Sequence, residues 1–266
     1  MRDGMSSGPF ILGHRGASAV APENTLAAFL RAISDGADGI EFDVRLSRDG
    51  VPVVIHDATL KRTGLIDRPV SALTAGELRE IDVGRWFAGQ TQNPKASFLG
   101  EGVPMLAQVF ELFSANSGLL YTEMKCDEDE GPLLAAEVVR LTRESRMTER
   151  VVVESFDHAA VAAVKKIDSG IRTAALFEPK LTRPISTVRR LKMVDTALGV
   201  GADEIALHHT LAGVRVVEKA RQAGLEVVVW TVDDPIWIPR ARSLGIKALI
   251  ANDLALMLRH RNRAVE

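Results

Sequence analysis

Short apolar or β-branched runs recur along the chain, at 10–13, 39–46, 51–55, 119–124, 150–155, 173–177, 203–207, 225–231 and 247–251. Between most of them lie stretches with helical periodicity, at 24–35, 104–114, 132–146, 158–166, 186–198, 212–222, 234–243 and 253–260. Strand-length runs alternating with helices predict βα units wound around a parallel sheet. Nine strand candidates are one more than an eightfold barrel holds. Asp49-Gly50 resolves the excess, because Asp-Gly between two apolar runs is a hairpin signal. Residues 51–55 then form an arm returning along 39–46, and eight strands remain. The predicted fold is an α/β TIM (β/α)8 barrel with a small inserted lobe after the second strand, at about 57–103, within a single barrel domain 1–266. The lobe is read from a break in the alternation: 57–103 is rich in Gly, Pro, Asp and Thr, with one short helix candidate near Ala75–Glu80. A doubly wound sheet is the rival. It more often carries GxGxxG after its first strand, and Gly13-His14-Arg15-Gly16-Ala17 is not that motif.

Composition narrows the function classes. The 266 residues are 46% hydrophobic and 26% charged, ample for a core. A net charge of -2 lacks the basic excess that bulk nucleic-acid or anionic-membrane binding needs. Any anion site must therefore be a local cluster. The single cysteine, Cys126, permits no internal disulfide and fits a reducing compartment. The first nine residues lack the apolar core of a signal peptide, and no apolar run approaches the ~18 residues of a membrane span. A soluble, cytoplasmic protein acting on a small molecule is expected, with no nucleic acid and no stable membrane insertion. The oligomeric state is not set by the sequence.

The chemistry concentrates early. His14-Arg15-Gly16 ends the first apolar run, Glu41-Phe42-Asp43 lies in the second, and His56-Asp57 follows the hairpin signal. Residues i and i+2 of a strand share a face, so Glu41 and Asp43 are neighbours. Two such carboxylates repel and are stable together when a divalent cation lies between them. The spacing recurs in Glu123-Met124-Lys125 at another strand end. Three carboxylates suit a hard, oxygen-seeking ion, Mg²⁺ or Ca²⁺. No Cys/His cluster has zinc spacing. Three carboxylates and one divalent ion sum to -1, and such a site would repel a phosphodiester without local cations. Arg15 and Lys125 supply them, the first as a fork and the second as a point charge. His14 and His56 suit proton transfer. A two-residue turn at Asp49-Gly50 would set His56 opposite Asp43, a four-residue loop would set it opposite Glu41, and a three-residue loop would set it opposite Phe42.

Each feature has a plainer reading. A lone histidine at a strand end is usually a satisfied polar residue, but two near carboxylates favour catalysis. Glu123 could simply pair with Lys125. Lys125 could form a Schiff base, as barrel aldolases do, although surrounding carboxylates would hold it protonated. Cys126 reads as a buried spectator thiol. One of His208 and His209 could line the pocket, and Trp230 could wall it or be core. Pro22-Glu23-Asn24-Thr25 reads as a helix start capped by Asn24 or Thr25, with Glu23 placed to orient Arg15.

In their order and spacing these residues resemble the glycerophosphodiester phosphodiesterase family. The resemblance rests on His14-Arg15-Gly16, Pro22-Glu23-Asn24-Thr25, Gly39-Ile40-Glu41-Phe42-Asp43-Val44, Asp49-Gly50, His56-Asp57, Glu123-Met124-Lys125, Ser155-Phe156 and Trp230-Thr231-Val232. It implies a TIM barrel with His14 and His56 as the general acid/base pair. It implies Glu41, Asp43 and Glu123 as ligands of one divalent cation, with Arg15 and Lys125 as phosphate contacts. The implied reaction cleaves a glycerophosphodiester to glycerol 3-phosphate and an alcohol, through attack by the glycerol hydroxyl and a cyclic phosphate that water opens. A lyase that stops at the cyclic phosphate, a non-catalytic phosphodiester-binding barrel and a Schiff-base aldolase are the alternatives. Two positions depart from the family pattern: Ala251-Asn252-Asp253-Leu254 stands where Thr-Asp and a proline are frequent, and Arg62-Thr63-Gly64 stands for Arg-Thr-Thr.

Overall fold

Eight parallel strands close on themselves in a computed structural model that describes residues 8–88, 98–126, 129–179 and 187–263. Numbered in chain order, they are β1 (Phe10–His14), β2 (Gly39–Leu46), β4 (Leu119–Met124), β5 (Val151–Ser155), β6 (Arg172–Phe177), β7 (Glu204–His208), β8 (Glu226–Trp230) and β9 (Ala248–Ala251). β3 (Pro52–Val54) is the antiparallel arm on β2. The order runs β1-β9-β8-β7-β6-β5-β4-β2, and pairing of β1 with β2 closes the ring. The count of eight barrel strands plus one returning arm is the one the alternation predicts. Residues 89–97 of the expected insertion, residue 186 of the expected helix 186–198 and the N-terminal segment 1–7 lie outside the described residues.

Strand parity sorts the apolar residues into two layers. Leu12, Val152, Leu176, Ala206, Val228 and Ile250 pack on one another inside the barrel. Their strand neighbours, among them Ile11, Phe42, Val153, Ala175, Leu207 and Val229, face outward into the larger core under the helices. Alternation follows because successive side chains of a strand point to opposite faces. The outer ring includes α1 (Leu26–Ser34), α4 (Leu106–Ser114), α5 (Gly131–Glu144), α6 (His158–Ile167), α7 (Thr187–Gly199), α8 (Val214–Gln222), α9 (Trp237–Leu244) and α10 (Leu254–Arg263). α1 shows how local sequence sets an element. Thr25 is its N-cap and accepts from the Ala28 amide at 3.2 Å. The buried face is Ala28, Phe29 and Ala32, with Phe29 packed on Phe42 at 5.7 Å between ring centroids. Among the described residues no helix is long and apolar enough to cross a bilayer.

The hairpin register differs from two of the three possibilities the sequence leaves open. Val44 faces Val54 and Leu46 faces Pro52, so the turn is the three-residue Arg48-Asp49-Gly50, with Gly50 at φ 75°. This is the turn plus left-handed glycine that follows a three-residue loop, and Asp-Gly signals it as well as it signals a two-residue turn. In this register His56 would sit opposite Phe42, not opposite a carboxylate. The ladder ends at Val54 before that position is reached. The Ile55 amide then donates to the Asp43 carbonyl at 3.0 Å, and the Arg45 guanidinium donates to the His56 carbonyl at 2.8 Å. His56 thus reaches the barrel mouth from beyond the strand.

Between β3 and α4 the described residues include a 3₁₀ turn (Val70–Ala72) and the short helices α2 (Ala75–Arg79) and α3 (Arg85–Ala88). α2 is closed by a Thr74/Glu77 capping box. Val53, Ile55, Leu60, Leu73, Leu78 and Val83 form a separate apolar cluster there. At the N-terminal end of the barrel, buried Glu204 is fully satisfied. It accepts from Tyr121 Oη at 2.7 Å, Arg172 Nη2 at 2.8 Å and Lys247 Nζ at 2.6 Å.

Candidate active site

At the other end, the C-terminal ends of the strands, all seven residues singled out from the sequence converge. Two ladder pairs are central: His14 of β1 is level with Glu41 of β2, and Asp43 of β2 is level with Glu123 of β4. One oxygen from each of Glu41, Asp43 and Glu123 lies within 4.8 Å of the others, and all three residues are buried. A cavity of about 390 Å³ opens over them, lined on this side by His14, Arg15, Glu41, His56, Glu123 and Lys125. Placement of ligand-binding groups at this face is general for parallel barrels.

The local backbone is shaped for these contacts. Arg15 has φ 56° and Gly16 φ 84°, so the chain turns sharply after β1. A Cβ on Gly16 would lie 2.8 Å from the Ala28 backbone of α1, which reserves the position for glycine. The turn points the Arg15 amide at Glu41 Oε2, 3.0 Å away. The Arg15 guanidinium lies 3.1 Å from Asp43 Oδ2 and donates to Glu23 Oε1 at 2.8 Å. Lys125 Nζ lies 3.2 Å from Asp43 Oδ1 and 2.6 Å from Glu123 Oε1. Asn24, at φ 58°, donates to Asp43 Oδ2 at 2.8 Å and accepts from the Asp43 amide at 3.2 Å.

Burial and mutual repulsion govern the acids. Burial pushes the Glu41 carboxyl well above the ordinary range, and Asp43 and Glu123 push it the same way. Glu123 is pushed up to about 8 by burial and by Asp43. Burial would also raise Asp43, but Arg15 and Lys125 overcome it and hold Asp43 well below the ordinary carboxylate range. One ionised and two strained carboxyls in a common buried site describe a cradle short of positive charge. Among the described residues, Glu41 Oε1 is buried without a hydrogen-bond partner. Hard oxygen donors converging with an orphaned oxygen fit a divalent cation such as Mg²⁺ or Ca²⁺.

The two histidines are held by the same nitrogen. His14 Nδ1 is 2.7 Å from Asn252 Oδ1, and His56 Nδ1 is 2.6 Å from Asp57 Oδ1. Burial lowers the pKa of both rings, with the Arg15 charge adding to the effect. His14 Nε2 lies 3.8 Å from Glu41 Oε2, at the edge of the carboxylate group. Asn252 is itself clamped by Asp233, which accepts from its amide nitrogen at 2.7 Å and its Nδ2 at 2.8 Å. Asp57 accepts from Arg62 at 2.7 Å, and Arg62 forks onto Glu23 at 2.7 and 2.8 Å. One chain of charges therefore runs from His56 through Asp57, Arg62, Glu23 and Arg15 to Asp43.

Burial would lower the Lys125 ammonium, but Asp43 and Glu123 outweigh it and hold its pKa above the ordinary value. That opposes a neutral, Schiff-base role. Burial pushes the Cys126 thiol up to about 11, and Cys126 does not line the cavity. His208 and His209 also stay outside its lining. His208 packs edge-on against Trp230 at 5.3 Å, and Trp230 does line the cavity. Asn24, Arg62, Asp233 and Glu154 are additions that motif reading misses. Asn24 is hidden by its position beside the Thr25 cap. The signal for Glu154 is a carboxylate that follows three valines one residue before the end of β5.

The model of the "Glycerophosphoryl diester phosphodiesterase family" matches residues 14–256. A glycerophosphodiester phosphodiesterase of Caldanaerobacter subterraneus is 32% identical over 91% of this chain and 93% of its own length. The crystal structure of glycerophosphodiester phosphodiesterase from Agrobacterium tumefaciens superposes with a TM-score of 0.76 at 28% identity, covering 94% of this chain and 99% of that one. The corresponding Thermotoga maritima structure gives a TM-score of 0.73 at 27% identity, covering 94% and 97%.

Proposed function

From the premise that this chain belongs to the glycerophosphoryl diester phosphodiesterase family, we propose that it hydrolyses glycerophosphodiesters to glycerol 3-phosphate and an alcohol with a divalent cation and a histidine acid/base pair. The observation that carries the reading is the buried Glu41/Asp43/Glu123 cradle, flanked by two cations and by two imidazoles each held through Nδ1. Glu41, Asp43 and Glu123 would hold the cation. When bound, it supplies Lewis acidity toward the phosphoryl oxygens and the attacking hydroxyl.

The protein's own groups do the rest. Arg15 and Lys125 neutralise the diester, Arg15 by presenting N–H donors to two oxygens and Lys125 as a point charge. One imidazole takes the proton from the glycerol 2-hydroxyl through Nε2, and O2 forms a bond to phosphorus. The other imidazole gives its proton to the departing alcohol oxygen as that P–O bond breaks. The roles then reverse: water loses a proton, attacks the cyclic phosphate, and O2 leaves with a proton, giving glycerol 3-phosphate.

The test is phosphorus NMR of glycerophosphocholine incubated with purified protein, with and without chelator. Glycerol 3-phosphate formed only when metal is present is the expected result. Accumulation of the cyclic phosphate as sole product would assign a lyase instead. Undiminished turnover after complete metal removal would strike the cation from the mechanism.

A further inference from the structure

We infer that Glu154, on β5, is the residue that reads the terminal hydroxyl of the glycerol moiety. This deepens the phosphodiesterase reading and rests on it.

The starting point is a contrast between two buried glutamates inside one barrel. Glu204, at the closed end, has three hydrogen-bonding partners. Glu154 is only 1% exposed, lines the active-site cavity, and has an Oε2 without a hydrogen-bond partner among the described residues. A buried oxygen in that condition costs stability, and its persistence at a ligand cavity points to a partner that arrives with the ligand. Lys125 does not fill the need, because its ammonium is engaged by Asp43 and Glu123 at 3.2 and 2.6 Å. Glu154 also stands outside the three-carboxylate group that could hold the cation.

Position supplies the identity of the partner. Glu154 is level with Glu123 in the β4–β5 ladder. It is therefore one strand spacing, ~4.8 Å, further from β2 than the cradle's own acid. With phosphorus held at Arg15, Lys125 and the cradle, a three-carbon chain crosses that spacing toward β5. The 2-hydroxyl is used by the chemistry, so the terminal hydroxyl is the group left seeking a polar contact. Leu176, on the β6 strand that pairs with β5, also lines the cavity and suits the methylene groups between. A fatty-acyl ester at that hydroxyl would remove its hydrogen and add bulk where a buried carboxyl stands.

The experiment compares two diesters, glycerophosphocholine and 2-hydroxypropyl phosphocholine, on wild type, Glu154→Ala and Glu154→Gln. The second diester keeps the attacking hydroxyl and lacks the terminal one. Wild type is expected to prefer glycerophosphocholine by roughly 10²-fold in kcat/KM, the scale of one buried polar group left unpaired. Glu154→Ala should lose about that factor on glycerophosphocholine while its turnover of the hydroxypropyl diester stays within a few-fold. Glu154→Gln, whose amide also donates and accepts, should keep most of the preference. Equal losses on both diesters in Glu154→Ala, or no preference in wild type, would overturn the assignment while leaving the phosphodiesterase intact. Wild-type failure on both diesters would instead overturn the phosphodiesterase reading.

Discussion

Asn252 decides which nitrogen of His14 carries the proton. Asp233 is an acceptor toward both the Asn252 backbone amide and its Nδ2, so the Asn252 side chain has one orientation and presents Oδ1 to His14 Nδ1 at 2.7 Å. A carbonyl oxygen only accepts, and Nδ1 must therefore donate. The neutral ring is then the Nδ1–H tautomer with Nε2 as base. Asn252→Leu is expected to lower kcat by ~10-fold or more, since part of the acid/base contribution depends on this orientation. Nitrogen-15 NMR of the imidazole should show a mixture of tautomers in the variant. An unaltered tautomer and unaltered kcat would remove Asn252 from the mechanism.

Removing either imidazole should be far more costly. His14→Ala and His56→Ala are each expected to reduce kcat by ~10²–10⁴-fold, with near-normal melting temperatures. Added imidazole restoring part of the activity would identify a lost proton carrier. Near wild-type turnover in either variant would exclude that ring.

Metal and protons should compete for the cradle. The Glu41 and Glu123 carboxyls lie above the ordinary range without the ion, Glu123 at about 8. Below that pH Glu123 is protonated in the metal-free protein, and a cation takes the ionised form. Ion uptake at pH 7 should release protons, and affinity should fall as pH drops below about 8. Calorimetry in two buffers of different ionisation enthalpy measures the release. At a hundredfold excess over Kd the ion should stabilise the fold by ~2.7 kcal/mol, seen as a higher Tm that chelator reverses. Equal heats in both buffers would contradict the proton count.

Arg62 connects the segment after β3 to the barrel. It binds Asp57 and Glu23 at once, and those two orient His56 and Arg15. Arg62→Ala should raise KM and lower kcat together, by ~10-fold, because both a phosphate contact and a proton carrier lose their brace. Its effect on stability should stay within ~1 kcal/mol, since the side chain is 40% exposed and solvent screens its pairs. A large drop in Tm without kinetic change would make Arg62 purely structural.

The eight-strand count and the carboxylate cradle were legible because both rest on parity. Alternation of runs sets the barrel, and i, i+2 spacing puts Glu41 beside Asp43 whatever the register of neighbouring strands. Contacts between remote segments were not legible. Asn252 meets His14 across 238 positions and Asp233 across 19, and no local pattern joins them. Asn24 precedes a helix cap and looks like part of it, yet its amide serves Asp43. Arg62 stands in a turn-rich stretch with no pattern to mark it and proves to be the hub of an ionic chain. The three-residue turn was hidden because Asp-Gly is shared by two loop lengths.

β3 and the residues beyond it carry their own small apolar cluster, and from them comes His56, one of the two proposed proton carriers. The cation cradle belongs to β2 and β4 of the ring itself. Natural variation can therefore act on the two halves separately: exchanging the side module reshapes the rim around His56, while the acids deep in the ring keep their places. Any such exchange has to hold His56 where it is, since the proposed acid/base pair needs both imidazoles.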